Sequence, residues 1–130
     1  MKNSKLIQAA SEFGSPLYVY DANKIKYQYN RLVKSFKSVK NLQLNYAVKA
    51  LSNISILKYL IDLGSGIDAV SIQEVHLALK SGINPEKIIY TPNGVSMDEI
   101  KFASELGVKI NIDNLSVLED FGNSHPEIPI

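Results

Sequence analysis

Residues 67–74 read Ile67-Asp68-Ala69-Val70-Ser71-Ile72-Gln73-Glu74. The first four form a short β-prone run, and Ser71 and Glu74 then have the Ser-x-x-Glu spacing of a capping box. In such a box the Ser oxygen and the Glu carboxylate satisfy N–H groups at the start of a helix. A strand that runs directly into a helix is one βα unit. This segment therefore predicts an α/β architecture.

The same unit recurs along the chain. Strand-like runs occur at Leu42–Val48, Ile67–Val70, Lys87–Tyr90 and Val108–Ile112. Measured between the markers Gln43, Gly66, Ile88 and Lys109, the runs are 23, 22 and 21 residues apart. Short strands that alternate with helices of about ten residues predict a parallel sheet. Four such units form either an open sheet or half of a closed (β/α)8 barrel.

The predicted helices have residues that fit both of their ends. The expected N-caps are polar residues, namely Asn53, Ser71, Ser96 and Asn114. Ser96 and Glu99 repeat the capping-box spacing of Ser71 and Glu74. The expected stops are Gly64, Gly82 and Gly107, because glycine readily adopts the left-handed conformation that ends a helix.

The chain is predicted to have two parts, a segment of residues 1–41 and the βα units of residues 42–130. In the first part, Leu17–Tyr20 predicts a short strand. Asp21 fits the N-cap of a helix whose apolar stripe contains Ile25, Tyr29, Leu32, Val33 and Phe36. At the other end, residues 127–130 have the pattern of a further strand. Because a half-barrel would leave strand edges exposed, we expect the chain to be cut from a longer one.

Composition excludes several classes of function. The formal net charge is +1, from 14 Lys and Arg against 13 Asp and Glu, which argues against a nucleic-acid partner. The chain has no cysteine, so it forms no disulfide and has no catalytic thiol. His76 and His125 are isolated, so no metal site is predicted. Without a long apolar run or a secretory signal, a cytoplasmic protein with no membrane partner is expected.

The strongest candidate for chemistry lies in Asn45-Tyr46-Ala47-Val48-Lys49-Ala50. On a strand, Tyr46 and Val48 share one side, and Asn45, Ala47 and Lys49 share the other. In a barrel the polar side would face the lumen, with Lys49 at the carboxyl end of the strand, where barrel active sites lie. A lysine held there can lose solvation and act as an amine nucleophile on a carbonyl. A strand-end lysine that only reaches water fits the same spacing.

Tyr46-Ala47-Val48-Lys49-Ala50 resembles the cofactor-lysine motif of the fold type III decarboxylases that use pyridoxal phosphate. Three further segments resemble that family in the same order, namely the opening segment Phe13–Asp21, the second strand and helix start at Gly64–Ser71, and the third strand Lys87–Tyr90. Within the family, the chain resembles the enzymes that convert meso-diaminopimelate to lysine.

The resemblance implies a two-domain enzyme in which a TIM-like (β/α)8 barrel carries pyridoxal 5′-phosphate, with this chain as the N-terminal half of the barrel. It implies that Lys49 is catalytic and forms the internal aldimine with the cofactor. It places Ala47 under the cofactor ring, Asp68 beside the lysine and the cofactor, and Thr91 near the ring. It also implies an amino-acid substrate and a homodimer of the full-length protein, whereas the 130-residue piece alone is expected to be inactive.

Other interpretations remain open. Ala47 could serve only as a small residue that fills the barrel, and Asp68 could serve only as a partner of Lys49 or as a loop cap. Ser71 and Glu74 could form a capping box and make no contact with the cofactor. The substrate could instead be ornithine, arginine or carboxynorspermidine, because the residues that choose among these substrates are not expected in this piece. Leu51 stands where many relatives have Asn, which leaves the exact subfamily open. A non-catalytic barrel that binds pyridoxal phosphate, or a structural interaction module, are further alternatives.

Overall fold

The computed structural model describes residues 2–128, and the chain divides into two compact units, Met1–Lys40 and Asn41–Ile130. The first unit contains the helices α1 (Asn3–Phe13) and α2 (Ala22–Ser35). At the start of α2, the Asp21 carboxylate accepts a hydrogen bond of 3.2 Å from the backbone N–H of Lys24. The predicted N-cap of this helix is therefore confirmed.

The N-terminal unit differs from the prediction in two respects. Leu17–Tyr20 forms neither helix nor strand, so the predicted strand is wrong. A strand needs a neighbour for its backbone N–H and C=O groups, and residues 2–40 contain no other strand to supply one. The helix α1 was not predicted. Lys2 at its N-cap makes no side-chain hydrogen bond and none of the helix residues is buried, so the helix has neither a capping side chain nor a buried face.

The second unit alternates strands and helices. Its elements are β1 (Asn45–Ala47), α3 (Ile54–Asp62), β2 (Gly66–Ala69), α4 (Ile72–Lys80), β3 (Ile88–Tyr90), α5 (Met97–Glu105), β4 (Lys109–Ile110) and α6 (Leu115–Ser124). The four strands pair in parallel in the order β1-β2-β3-β4. The predicted α/β class and parallel sheet are confirmed, although each strand is no longer than its predicted run.

The register of the sheet separates two faces. Ala47 pairs with Asp68, Asp68 with Ile89, and Ile89 with Lys109, so these four residues form one row across the strands. Because side chains alternate along a strand, this row lies on the face opposite to that of Ile67 and Tyr90. We call the face of Asn45, Ala47, Asp68, Ile89 and Lys109 the open face, because these residues are exposed or half-buried.

The other face of the sheet packs against the helices. Its fully buried strand residues include Ile67, Ala69, Ile88 and Tyr90. They form one cluster with apolar helix residues, which include Leu57, Val75, Ala78, Ile100, Ala103 and Phe121. Burial of each larger apolar side chain contributes about 1.5–3 kcal/mol. The helices therefore pack against one face of the sheet, while the residues of the open face stay exposed or half-buried.

The helix ends agree with the sequence signals. Side-chain oxygens of the four predicted N-caps, Asn53, Ser71, Ser96 and Asn114, each accept a hydrogen bond from a backbone N–H of the following helix turn. Gly64, Gly82 and Gly107 have φ values of 101°, 90° and 76°, so the predicted left-handed helix stops are also confirmed.

The glutamates of the two capping boxes have other partners than expected. The Glu74 carboxylate accepts a hydrogen bond of 2.8 Å from the backbone N–H of Val70, one residue before the cap. The Glu99 carboxylate accepts a hydrogen bond from the hydroxyl of Tyr90. Both glutamates therefore join the start of a helix to the end of the preceding strand.

At the end of the chain, the predicted further strand is not seen in the part that the structure describes. Glu127 lies in a turn and Ile128 in a bend, while Pro129 and Ile130 lie outside the described residues. Among residues 2–128, no helix combines the length and the apolar character that crossing a membrane requires.

Candidate active site

Lys49 lies in a turn that directly follows β1. The strand ends at Ala47, and Val48–Ala50 form a single 3-10 turn, so Lys49 lies just past the carboxyl end of the strand. Two hydrogen bonds fix this turn, one of 3.0 Å from the Leu51 N–H to the Val48 carbonyl and one of 3.3 Å from the Tyr46 hydroxyl to the Leu51 carbonyl. Val48 is buried and anchors the turn, while the side chain of Lys49 is exposed.

Asp68 and Thr91 are joined by a hydrogen bond on the adjacent strands. The Thr91 hydroxyl donates to Asp68 Oδ1 at 3.1 Å, and both residues are half-buried. The backbone N–H of Thr91 also donates to the carbonyl of Ala69 at 2.8 Å, so β3 stays in register with β2 beyond its last paired residue. The carboxylate and the hydroxyl are thus held together where the two strands end.

The structure brings the predicted residues to one edge of the sheet. Ala47 is the register partner of Asp68, and Lys49 follows Ala47 by two residues. Because the strands are parallel, their carboxyl ends meet at the same edge, so Lys49, Asp68 and Thr91 all belong to it. Ser71 and Glu74 act as helix-capping residues, with a hydrogen bond of 3.3 Å from the Glu74 N–H to Ser71 Oγ.

Tyr90 stabilises the strand end that carries Thr91. Its hydroxyl donates to Glu99 Oε1 at 2.5 Å, which joins β3 to the first turn of α5. Burial raises the pKa of Tyr90, and the hydrogen bond to Glu99 and the charge of Glu99 raise it further. The hydroxyl therefore stays protonated at neutral pH and remains a donor to Glu99.

Three residues of the open face were not predicted as candidates. Ile89 and Lys109 lie in the same row as Asp68, and alternation places Asn111, the residue directly after β4, on the same face. These three residues and Ile128 line part of a cavity of about 720 Å³ beside β4. The sequence contains a signal for two of them, because Lys109 and Asn111 alternate with apolar residues in Val108–Ile112.

The chemistry of these side chains fits a coenzyme that carries an aldehyde. Lys49 supplies a primary amine in an anchored turn, and such amines bind carbonyl groups covalently. Ala47 is the smallest side chain in the row of Ala47, Asp68, Ile89 and Lys109, so a flat ring meets the least obstruction there. Asp68 uses one carboxylate oxygen for Thr91, and a carboxylate can accept further hydrogen bonds.

A family model described as pyridoxal-dependent decarboxylase, pyridoxal binding domain, matches residues 22–130. The chain belongs to this family. The resemblance inferred from the sequence is thereby confirmed, and the cofactor of the family is pyridoxal phosphate.

Curated relatives in this family are named diaminopimelate decarboxylase. The one from Methanothermobacter thermautotrophicus is 42% identical over 122 residues, which are 93% of this chain and 28% of that protein. The one from Escherichia coli K12 is 34% identical over 125 residues, which are 93% of this chain and 28% of that protein. The chain thus spans less than a third of the length of these relatives.

Solved structures of the family have the same fold as this chain. Diaminopimelate decarboxylase from M. jannaschii, in complex with L-lysine, matches with a TM-score of 0.84 and 33% identity, over 94% of this chain and 30% of that one. Lysine/ornithine decarboxylase from Vibrio vulnificus, in complex with putrescine, matches with a TM-score of 0.84 and 26% identity, over 96% of this chain and 34% of that one. The prediction of part of a decarboxylase barrel is therefore confirmed.

Proposed function

We propose that this chain forms the coenzyme-binding part of a carboxy-lyase that converts meso-diaminopimelate to L-lysine, a reaction of lysine biosynthesis. The identity of 34–43% to relatives named diaminopimelate decarboxylase supports this substrate. The relative solved with L-lysine supports it further, because L-lysine is diaminopimelate without one carboxyl group. The observation that carries the proposal is the anchored turn of Lys49 at the same sheet edge as the Asp68–Thr91 pair.

Each proposed site residue has one role. When bound, pyridoxal phosphate supplies an aldehyde that links to amines and a ring that accepts the electrons released as carbon dioxide leaves. Lys49 Nζ is the amine that holds the coenzyme. Ala47 leaves space for the ring. Asp68 accepts a hydrogen bond or forms an ion pair with a positively charged group beside Lys49, and Thr91 lies next to Asp68 at the same edge.

The state of the whole protein is part of the proposal. We infer a cytoplasmic homodimer, on the basis of the resemblance to fold type III decarboxylases. We also infer that residues 1–130 alone release no carbon dioxide from diaminopimelate, because the matched relatives are much longer than this chain. Purification of the 130-residue chain and an assay with added pyridoxal phosphate test this directly.

Borohydride trapping tests the role of Lys49. The complete polypeptide that contains this chain is loaded with pyridoxal phosphate, reduced with borohydride and digested for mass spectrometry. We expect a pyridoxyl phosphate group on Lys49, and no such group at this position in Lys49→Arg, which keeps the positive charge. The exposed lysine Lys58, changed in the same way, serves as the matched control and should leave the labelling of Lys49 intact. An unlabelled Lys49 in the wild-type protein would overturn the proposal.

A second candidate function is decarboxylation of lysine or ornithine. The match to the Vibrio vulnificus lysine/ornithine decarboxylase favours it, although the identity of 26% is lower than that of the diaminopimelate decarboxylases. Release of carbon dioxide from meso-diaminopimelate, lysine, ornithine and arginine, measured in parallel, separates the candidates. A labelled Lys49 without release from any amino acid would instead indicate a non-catalytic protein that binds the coenzyme.

A further inference from the structure

We propose that Thr91 is a positioning residue, whose hydroxyl holds the Asp68 carboxylate toward the carboxyl edge of the sheet, where Lys49 lies. This inference rests on the proposed function, because it assumes that Asp68 contacts the coenzyme held by Lys49. It assigns Thr91 an indirect role, in contrast to the direct approach to the ring that the family resemblance implies.

The register of the strands gives the direction of the hydrogen bond. Ile89 is the register partner of Asp68, and Thr91 lies two residues beyond Ile89 on the same face. The bond of 3.1 Å from Thr91 Oγ1 to Asp68 Oδ1 is therefore diagonal across the strands. It joins Asp68 to a residue that lies one row closer to the carboxyl edge of the open face. On the other side of Asp68, its partner Ala47 leads into the turn of Lys49. The carboxylate is thus drawn to the level at which the lysine leaves β1.

Thr91 is itself held firmly enough to orient another side chain. Its backbone N–H donates to the Ala69 carbonyl at 2.8 Å, and the preceding residue, Tyr90, is buried and bound to Glu99. A β-branched side chain also has few χ1 rotamers. The hydroxyl therefore points in a defined direction before any coenzyme binds.

One hydrogen bond leaves Asp68 able to make others. An ionised carboxylate has two oxygens and about four acceptor sites, so Oδ2 can still accept from the coenzyme or from Lys49. Without the Thr91 hydroxyl, the Asp68 side chain gains rotamers, and binding of the coenzyme must then order it. Removal of the Thr91 hydroxyl should therefore lower the affinity for the coenzyme, and this effect should be seen only when Asp68 is present.

A double-mutant cycle in the complete polypeptide tests this dependence. The variants are Thr91→Val, Thr91→Ser, Asp68→Ala and the double variant of Asp68→Ala with Thr91→Val, and the dissociation constant of pyridoxal phosphate is measured by absorbance titration. We expect Thr91→Val to raise this constant about tenfold, because a hydrogen bond to a charged group is lost. Thr91→Ser, which keeps the hydroxyl, should recover the affinity to within about twofold of the wild type.

The Asp68→Ala background decides between the indirect and the direct role. If Thr91 acts through Asp68, Thr91→Val should change the constant by less than about twofold in this background. An equal loss in both backgrounds would overturn the inference and show that Thr91 contacts the coenzyme itself. An unchanged constant in Thr91→Val alone would overturn it as well.

Two further measurements keep the result interpretable. Circular dichroism shows whether each variant folds, and Thr91→Ala replaces Thr91→Val if the valine variant does not. Borohydride labelling of Lys49 in the wild-type protein separates the two proposals. If Lys49 is labelled and the cycle is additive, only the role of Thr91 is wrong, whereas an unlabelled Lys49 overturns the proposed function and this inference with it.

Discussion

Tyr90 and Glu99 are joined by a hydrogen bond of 2.5 Å from the phenolic hydroxyl to Oε1, and Tyr90 is 0% exposed. The backbone N–H of Glu99 also donates to Ser96 Oγ at 3.3 Å, so Glu99 connects the cap of α5 to the end of β3. Thr91 follows Tyr90 directly. The hydrogen bond between Tyr90 and Glu99 therefore also fixes the end of β3, from which Thr91 reaches Asp68.

The first prediction concerns Tyr90→Phe. Phenylalanine fills the same space, so the main change is loss of the hydrogen bond to a carboxylate, and we expect the free energy of unfolding to fall by about 1–3 kcal/mol. Urea denaturation of the complete polypeptide at neutral pH measures this loss. Tyr18→Phe is the matched control, because Tyr18 is 90% exposed, and it should leave the stability unchanged.

The pH dependence of stability should also change in Tyr90→Phe. The pKa of Tyr90 is raised in the folded state, by burial and by Glu99, so above about pH 10 the folded protein binds more protons than the unfolded one. The contribution of Tyr90 to the free energy of unfolding is therefore fully present below pH 10 and is lost as the pH rises further. Between pH 8 and 11, the free energy of unfolding should fall less steeply with pH for Tyr90→Phe than for the wild type. Equal slopes for the two proteins would contradict the prediction.

The architecture of residues 42–128 was predictable because its signals are local. Helix caps such as Ser71 and Asn114 need only neighbouring backbone N–H groups, and glycine stops such as Gly64 need only a left-handed conformation. Each signal is contained within a few residues: a polar N-cap precedes all four helices α3–α6, and a glycine stop follows the first three of them. Local pattern and tertiary packing therefore agree in this part of the chain.

The features that were mispredicted depend on more distant partners. Leu17–Tyr20 has the composition of a strand, but a strand exists only where another one pairs with it. The Glu99 carboxylate has the spacing of a capping box, but Tyr90 from the preceding strand supplies its donor. The bond between Asp68 and Thr91 was likewise not predicted, because the two residues are 23 positions apart in the sequence and meet only through the register of the sheet.

The second prediction is that Ser71→Ala affects the helix cap and not the coenzyme. Ser71 Oγ accepts from the Glu74 N–H at 3.3 Å, and loss of such a cap costs about 1 kcal/mol. Urea denaturation should show this loss, while the dissociation constant of pyridoxal phosphate stays the same. Ser116→Ala, at an exposed helix position, is the control and should cost little. Weaker coenzyme binding in Ser71→Ala would indicate that Ser71 contacts the coenzyme.

The third prediction concerns Asp68→Asn. The asparagine keeps an oxygen that can accept from the Thr91 hydroxyl, but it lacks the negative charge. We expect coenzyme retention to weaken about three- to tenfold, while borohydride still labels Lys49. Dialysis followed by absorbance measures the retention, and Asp62→Asn, at the exposed end of α3, is the control. Retention equal to that of the wild type would remove Asp68 from the site.

The fourth prediction compares two glycines with opposite surroundings. Gly66 in β2 is buried, and a Cβ atom at this position would lie 2.8 Å from the Lys87 carbonyl, 2.9 Å from Gln43 Nε2 and closer still to Asn45 Oδ1. The Lys87 carbonyl belongs to the backbone just before β3 and cannot move without disturbing the sheet. We therefore expect Gly66→Ala to reduce the free energy of unfolding by about 1–3 kcal/mol.

Gly122 provides the matched substitution, because it lies within α6 and a Cβ atom there would meet nothing within 4 Å. Alanine has a higher helix propensity than glycine, so Gly122→Ala should raise the free energy of unfolding by about 0.5–1 kcal/mol. Urea midpoints of the two variants should then move in opposite directions from that of the wild type. If Gly66→Ala were as stable as Gly122→Ala, the close packing of β1, β2 and the segment before β3 would be wrong, and with it the register that places Ala47 beside Asp68.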